Sequence, residues 1–252
     1  IVKQVQSYGM LDWLGNPVVP FMYQDIDFCK NLALGYLLNY STTPILMFQE
    51  RHRFGLMDIN GTLLAPAVYE ENFRSLWYNG TAVIKRDGKY GFLDTNGGEI
   101  VPPTYQAKGH HTKSGRIWMK RDNLWGICDA SGKEQTAFLY DSVLVYVGLE
   151  NQWAMVRNEQ GKWGLVVSST GTIVVPCEYE DMRHITDKPT SVSVRRNAQW
   201  GMIKITETST SSSTGTAALV VPIQYDKPLE ARYVNDAPSS NYFHAQQLAN
   251  QA

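Results

Sequence analysis

One segment, Thr81 to Tyr105, reads TAVIKRDGKYGFLDTNGGEIVPPTY, and most of the chain is this segment repeated with changes. Ala82, Val83 and Ile84 open a β-prone run that ends in Lys85 and Arg86. Asp87-Gly88 is a hairpin dipeptide, since a two-residue turn favours residues that tolerate positive φ. Lys89 to Leu93 forms a second strand that holds Tyr90 and Gly91. Asp94-Thr95-Asn96-Gly97 is a second turn: the aspartate can bond forward to backbone N–H groups, and the glycine takes φ > 0 at no steric cost. Glu99 to Val101 is a third strand, stopped by Pro102-Pro103, which have no N–H to donate. The unit is therefore a three-stranded antiparallel meander.

The same grammar returns along the chain, and a repeat of this period dictates the fold. The second-strand glycine recurs as Gly9, Gly55, Gly91, Gly126, Gly164 and Gly201, at intervals of 46, 36, 35, 38 and 37 residues. An aromatic precedes each: Tyr8, Phe54, Tyr90, Trp125, Trp163 and Trp200. The turn aspartate follows as Asp12, Asp58, Asp94 and Asp129, with Ser168 in the fifth unit. The proline recurs as Pro20, Pro66, Pro102, Pro176 and Pro222, with Ala137 in the fourth unit, and a tyrosine stands three residues after each.

This pattern resembles the WG-repeat family of bacterial β-repeat proteins, whose units read roughly G-K-W-G, two apolar residues, D-x-x-G-K, two apolar residues, then P-x-x-Y-[DE]. Gly161-Lys162-Trp163-Gly164 and the run from Gly88 to Tyr105 match it best. The tryptophan is Tyr or Phe in the first three units, and the turn aspartate is missing from the last two. The resemblance implies a scaffold and carries over no catalytic residue.

One such meander has too little apolar surface to stand alone, so neighbours must stack. The expected fold is all-β, six repeats of a three-stranded meander in a propeller-like ring, with an open curved β-solenoid as the alternative. Residues 1–235 form the repeat domain and 236–252 a polar tail. The apolar connector from Asp25 to Thr43 is expected to hold a buried helical turn, with a partner-binding patch as the sharper alternative. TETSTSSSTGT, residues 206–216, is expected to be a tolerated polar insertion. Residues 229–234 have the pattern of one more strand.

A net charge of −1 gives no electrostatic case for nucleic acid, and no apolar run reaches the ~20 residues of a spanning helix. The first residue is Ile1, which leads to the expectation of a processed or trimmed amino terminus, and a periplasmic or cell-envelope location is favoured over the cytoplasm. Cys29, Cys128 and Cys177 are an odd set in apolar contexts and read as free thiols. Adjacent His110 and His111 point to opposite faces of an extended segment, so no metal is expected, and no cofactor either. No nucleophile elbow, phosphate loop or zinc-protease motif appears, so no enzyme activity is expected.

Basic residues recur in phase before the first turn: Lys85-Arg86, Lys120-Arg121 and Arg195-Arg196. Stacked, they would form a positive strip for an acidic protein surface. The expected role is thus a protein-binding scaffold, an envelope component or a toxin neutraliser, with glycan or cell-wall binding as the alternative. Trp13, Trp77, Trp118 and Trp153 lie outside the motif and are the candidates for a glycan platform, although core packing is the commoner fate of such residues.

Overall fold

The computed structural model describes residues 1–29, 44–73, 77–78, 80–111, 115–147, 153–185, 190–207, 215–231 and 243–244. All regular structure in them is antiparallel β. Repeat one holds β1 (Val2–Gln4), β2 (Ser7–Leu11) and β3 (Pro17–Tyr23). Repeat two holds β4 (Asp25–Phe28), β5 (Ile45–Glu50), β6 (Arg53–Asp58) and β7 (Leu63–Tyr69). Repeat three holds β8 (Trp77–Tyr78), β9 (Thr81–Arg86), β10 (Lys89–Asp94) and β11 (Glu99–Tyr105). Repeat four holds β12 (Ala107–His111), β13 (Ile117–Arg121) and β14 (Leu124–Cys128). Repeat five holds β15 (Tyr140–Val147), β16 (Trp153–Asn158), β17 (Trp163–Val167) and β18 (Ile173–Tyr179). Repeat six holds β19 (Asp181–His184), β20 (Ser191–Arg196), β21 (Gln199–Glu207) and β22 (Gly215–Tyr225). A short pair, β23 (Glu230–Ala231) with β24 (Phe243–His244), follows.

The predicted meander is present in repeats one, two, three, five and six, and repeats two to six each gain a strand from the segment after the preceding tyrosine, which makes four strands in repeats two, three, five and six. In repeat two, β4 pairs with β5 as Asp25↔Gln49, Ile26↔Phe48, Asp27↔Met47 and Phe28↔Leu46. Asp25 to Phe28, read as part of a connector with a helical turn, is therefore a strand; the rest of that connector lies outside the described residues. Ile26 and Met182, on equivalent fourth strands, are buried, and this apolar alternation holds the added strand in place. Repeat four departs the other way. Its third strand is irregular, with Ile127 N–H donating to Thr136 Oγ1 at 2.9 Å where a strand partner would stand, and β15 continues the sheet, giving seven strands from β12 to β18.

The motif glycine has a steric cause. The third strand bulges opposite it, as the register shift between Tyr90↔Tyr105 and Phe92↔Val101 records. The bulge turns the carbonyl of the residue before the proline toward the glycine. A Cβ would lie 2.8 Å from Val19 O at Gly9, 2.7 Å from Ala65 O at Gly55, 2.5 Å from Val101 O at Gly91, 2.6 Å from Val175 O at Gly164 and 2.8 Å from Val221 O at Gly201. No side chain fits there.

The first hairpin turns take φ > 0 at both central residues, in Arg51-His52, Asp87-Gly88, Asp122-Asn123 and Asn197-Ala198. Such turns match strand twist, but a non-glycine residue there costs roughly 1–2 kcal/mol. The residue after the preceding tyrosine holds several of them. Gln24 Oε1 accepts from His52 N–H at 2.7 Å, Glu70 from Gly88 N–H at 3.2 Å, and Glu180 from Asn197 and Ala198 N–H at 3.0 and 3.2 Å.

The chain forms two compact units, residues 1–108 with 128–133, and residues 109–127 with 134–252. The core of the first joins Met47, Leu56, Tyr69, Phe73, Trp77, Ile84 and Leu93. In the second, Trp153, Leu165, Tyr179, Val192, Val194 and Ile203 form one cluster and Trp118, Ile127, Tyr140 and Val156 another. Cys29 and Cys128 are buried free thiols and Cys177 is half-buried. Residues 208–214 of the insertion and most of the tail lie outside the described residues.

Candidate functional site

Successive residues of a strand point to opposite faces, and this divides the basic residues into two rows in the sense of two equivalent positions within each repeat. Lys85, Lys120 and Arg195 form one. Each stands over the motif aromatic of the next strand: Lys85 lies 5.2 Å from the Tyr90 ring centre, Lys120 5.8 Å from Trp125 and Arg195 5.7 Å from Trp200. Lys3 over Tyr8 and Arg157 over Trp163 extend the row to repeats one and five. The registers Lys3↔Tyr8, Tyr90↔Lys85, Arg157↔Trp163 and Arg195↔Trp200 make each a direct cross-strand pair.

Arg86, Arg121 and Arg196 form the second row. Arg86 grips Glu99 with both nitrogens, its Nη2 at 2.9 Å from Oε2. Arg121 holds Glu134 the same way, and Arg196 pairs with Glu178. Arg121 also lies 4.5 Å from the Phe138 ring centre and Arg196 4.8 Å from that of Tyr179. The carboxylates come from the third strands, which the phase of the basic residues alone does not reveal. Glu99 also accepts from Tyr69 OH at 3.1 Å, joining repeat two to repeat three. Burial, with the charge of Glu99 beside it, raises the pKa of that phenol well above its ordinary value.

Glu71 gathers the first row locally. It lies 3.0 Å from Lys85 Nζ and 3.2 Å from Lys108 Nζ, and Tyr90 OH donates to it at 2.9 Å. Partial burial works against its ionisation, but Lys85, Tyr90 and Lys108 outweigh that and hold the carboxyl below its usual range. Glu70 and Glu180 are also lowered, chiefly by the N–H groups of Gly88 and Ala198.

The tryptophans outside the motif divide sharply. Trp77, Trp118 and Trp153 are at most 2% exposed and belong to the core. Trp13 is 90% exposed at the second turn of repeat one, beside Leu14 at 63%. The equivalent pairs are Ile59-Asn60, Thr95-Asn96 and Ala130-Ser131, so among these four described turns the exposed apolar pair is that of the first repeat. Asp12 holds the turn, accepting from Leu14 and Asn16 N–H at 2.9 and 2.8 Å. Among the described residues no group of His, Cys, Asp and Glu is placed to hold a metal, and no helix is long and apolar enough to cross a membrane.

The chain matches no curated protein. Among solved structures it is similar to Hsv2 of Kluyveromyces lactis, at 11% identity and a TM-score of 0.34 over 66% of this chain and 58% of that one. It is also similar to the computationally designed Ika8 protein, at 10% identity and 0.32 over 77% and 63%. A third is BamB of Moraxella catarrhalis, at 12% identity and 0.28 over 76% and 64%. The chain thus spans less than two thirds of the length of each. The model of the WG containing repeat matches residues 54–90, 90–125 and 166–188. The first two matches run from motif aromatic to motif aromatic, Phe54 to Tyr90 and Tyr90 to Trp125, which is one structural period each. Residues 54–125 and 166–188 are thus WG containing repeats, and the motif aromatic is tryptophan in repeats four to six and tyrosine or phenylalanine in repeats one to three.

Proposed function

We propose that this protein is a non-catalytic scaffold that binds a protein partner through the exposed turn of repeat one. The observation that carries this reading is the Trp13-Leu14 pair, solvent-exposed on a turn whose siblings are smaller or more polar. An exposed aromatic beside an aliphatic residue is the composition of a binding anchor. The rest of the repeat supports a scaffold. Asp12, Asp58, Asp94 and Asp129 close turns, Glu70 and Glu180 hold hairpins, and Glu99, Glu134 and Glu178 neutralise arginines. An acidic partner at the second basic row would have to displace those glutamates, so the contact is apolar in character. With Trp77, Trp118 and Trp153 in the core, Trp13 alone of the four non-motif tryptophans is available to a sugar face. Envelope assembly or neutralisation of a toxin are both roles such a scaffold fits.

The test compares wild type with Trp13→Ser/Leu14→Ser, immobilised and challenged with extract from the native source and with a glycan array. Both residues are exposed, so melting should not change. A protein retained by wild type and lost from the variant is the expected result. Glycan binding that survives the substitutions, with no protein lost, would overturn the reading.

A further inference from the structure

In repeats two to six the first strand of the meander carries an added strand on the side away from the second. β4 lies on β5, β8 on β9, β12 on β13, β15 on β16 and β19 on β20. In repeat one, β1 has β2 on one side and, among the described residues, no strand on the other. Burial differs accordingly. The residue opposite the motif glycine is Phe48, Ile84, Val156 and Val194 in repeats two, three, five and six, each at most 1% exposed. Val2, opposite Gly9, is 39% exposed. Ile1 is 44% exposed, where its counterparts Met47 and Val83 are 1% and 2%.

The added strands show what this edge takes. They run antiparallel to the first strand and set an apolar residue against the position of Val2: Ile26 faces Phe48, Val143 faces Val156 and Met182 faces Val194. The residues that lead into them bring a carboxylate to the first-row cation. Glu71 is 3.0 Å from Lys85 Nζ, Asp141 2.8 Å from Arg157 Nε and Glu180 3.5 Å from Arg195 Nε. Repeat four has Gln106 and Ala107 at those places instead. Lys3 is the cation of this row in repeat one. It stacks on Tyr8, and among the described residues no carboxylate meets it.

We infer that the edge of β1 takes an extended strand of a protein partner, antiparallel to Val2–Gln4, with an aspartate or glutamate facing Lys3 and the aliphatic residue after it facing Val2. Backbone pairing holds such a strand, and the acid–aliphatic order selects it, as in Asp25-Ile26 and Asp181-Met182. The chain's own segment in this phase is the wrong one. After Tyr225 it reads Asp226-Lys227-Pro228, and Lys227, at the place of Asp25 and Asp181, would face Lys3 with like charge. Beyond it, Leu229 is bonded to Ser193 through both backbone groups, and β23 pairs with β24. A second copy's β1, paired about Lys3, would set lysine against lysine. The inference goes beyond the contact at the Trp13-Leu14 turn and stands without it.

The probe is the peptide Tyr-Glu-Asp-Met-Arg-His, the sequence of residues 179–184, titrated up to about 1 mM into the heavy-nitrogen full chain. The amide signals of residues 2–4 should shift and saturate. Lysine in place of the peptide's aspartate should weaken binding about fivefold, and Lys3→Glu in the chain should reverse that preference. Methylating alternate backbone nitrogens of the peptide should abolish binding in one phase and spare it in the other, as ladder pairing requires. No shift at residues 2–4, or a shift indifferent to the charge swap, would overturn the inference. So would a disulfide formed within the monomer by Lys3→Cys with Lys227→Cys, which would make the chain's own segment the occupant. A dimer that the peptide disperses would make it a second copy, and equally overturn the inference.

Discussion

A methyl group on Gly97 would lie 2.1 Å from the carbonyl oxygen of Leu64, on the third strand of the preceding repeat. The glycine of the second turn thus serves two needs. It supplies φ of 82° for its own turn and leaves room for the neighbouring backbone.

Gly97→Ala and Gly15→Ala separate those needs. Gly15 shares the left-handed φ, with no described residue within 4 Å of its Cβ position, so Gly15→Ala should cost about 1–2 kcal/mol. Gly97→Ala adds a backbone clash and should cost about 2–5 kcal/mol. Urea unfolding of the two variants measures the difference, and equal costs would mean that the joint yields freely.

Charge reversal at Arg86 should destabilise, because it faces Glu99 with like charge. The side chains are 35% and 20% exposed, so the loss is modest, about 1 kcal/mol. The swap Arg86→Glu with Glu99→Arg should recover part of it, limited by the bond Glu99 accepts from Tyr69. Arg51, whose side chain is 91% exposed 4.0 Å from Glu50, is the control for this pair, and Arg51→Glu should leave the melt unmoved.

Acid should weaken the fold through the turn and hairpin carboxylates. Asn16 holds the Asp12 carboxyl below its ordinary pKa, and the N–H groups of Thr62 and Asn60 do so for Asp58 against the effect of burial. A depressed folded-state pKa contributes stability that is present above the unfolded value, about 3.9 for aspartate, and lost as pH falls through the folded value. The urea midpoint should therefore drop between neutral pH and about pH 3. Asp58→Asn should start lower at neutral pH and lose less over that interval. A variant with the same acid slope as wild type would show that Asp58 plays no part.

Ser193 should act as a staple. Its hydroxyl donates to Leu229 O at 3.2 Å and accepts from Leu229 N–H at 2.8 Å, with Ser193 fully buried and Leu229 nearly so. Ser193→Ala leaves both backbone groups unpaired and should cost about 1–3 kcal/mol. Hydrogen exchange at the Leu229 amide should accelerate in the variant. An unchanged exchange rate would show that another group takes over the bond.

The alternation of valine with serine in Ser191-Val192-Ser193-Val194 marks Ser193 as unusual, since the same position is Val83 in repeat three and Trp118 in repeat four. Nothing in the sequence connects it to Leu229, because that bond depends on a return of the chain 36 residues later. The basic residues show the same limit. Their phase was legible, but Arg86 and Lys85 are adjacent in sequence and opposite in the strand, and their partners Glu99 and Glu71 lie on other strands.

By itself the sequence determined the all-β class, the repeat period, the two turns of each meander, the burial of most motif tyrosines and the resemblance to WG repeats. These depend on short-range chemistry: turn residues with the required φ, prolines that end a ladder, and apolar alternation. Only the tertiary structure decided the fourth strands, the bulge that makes the motif glycine necessary, the seating of each turn on the strand before it, and the exposure of Trp13 while Trp77, Trp118 and Trp153 are buried. Those features arise where segments distant in the chain meet, and a tryptophan carries no mark in its local sequence of whether a neighbouring strand will cover it.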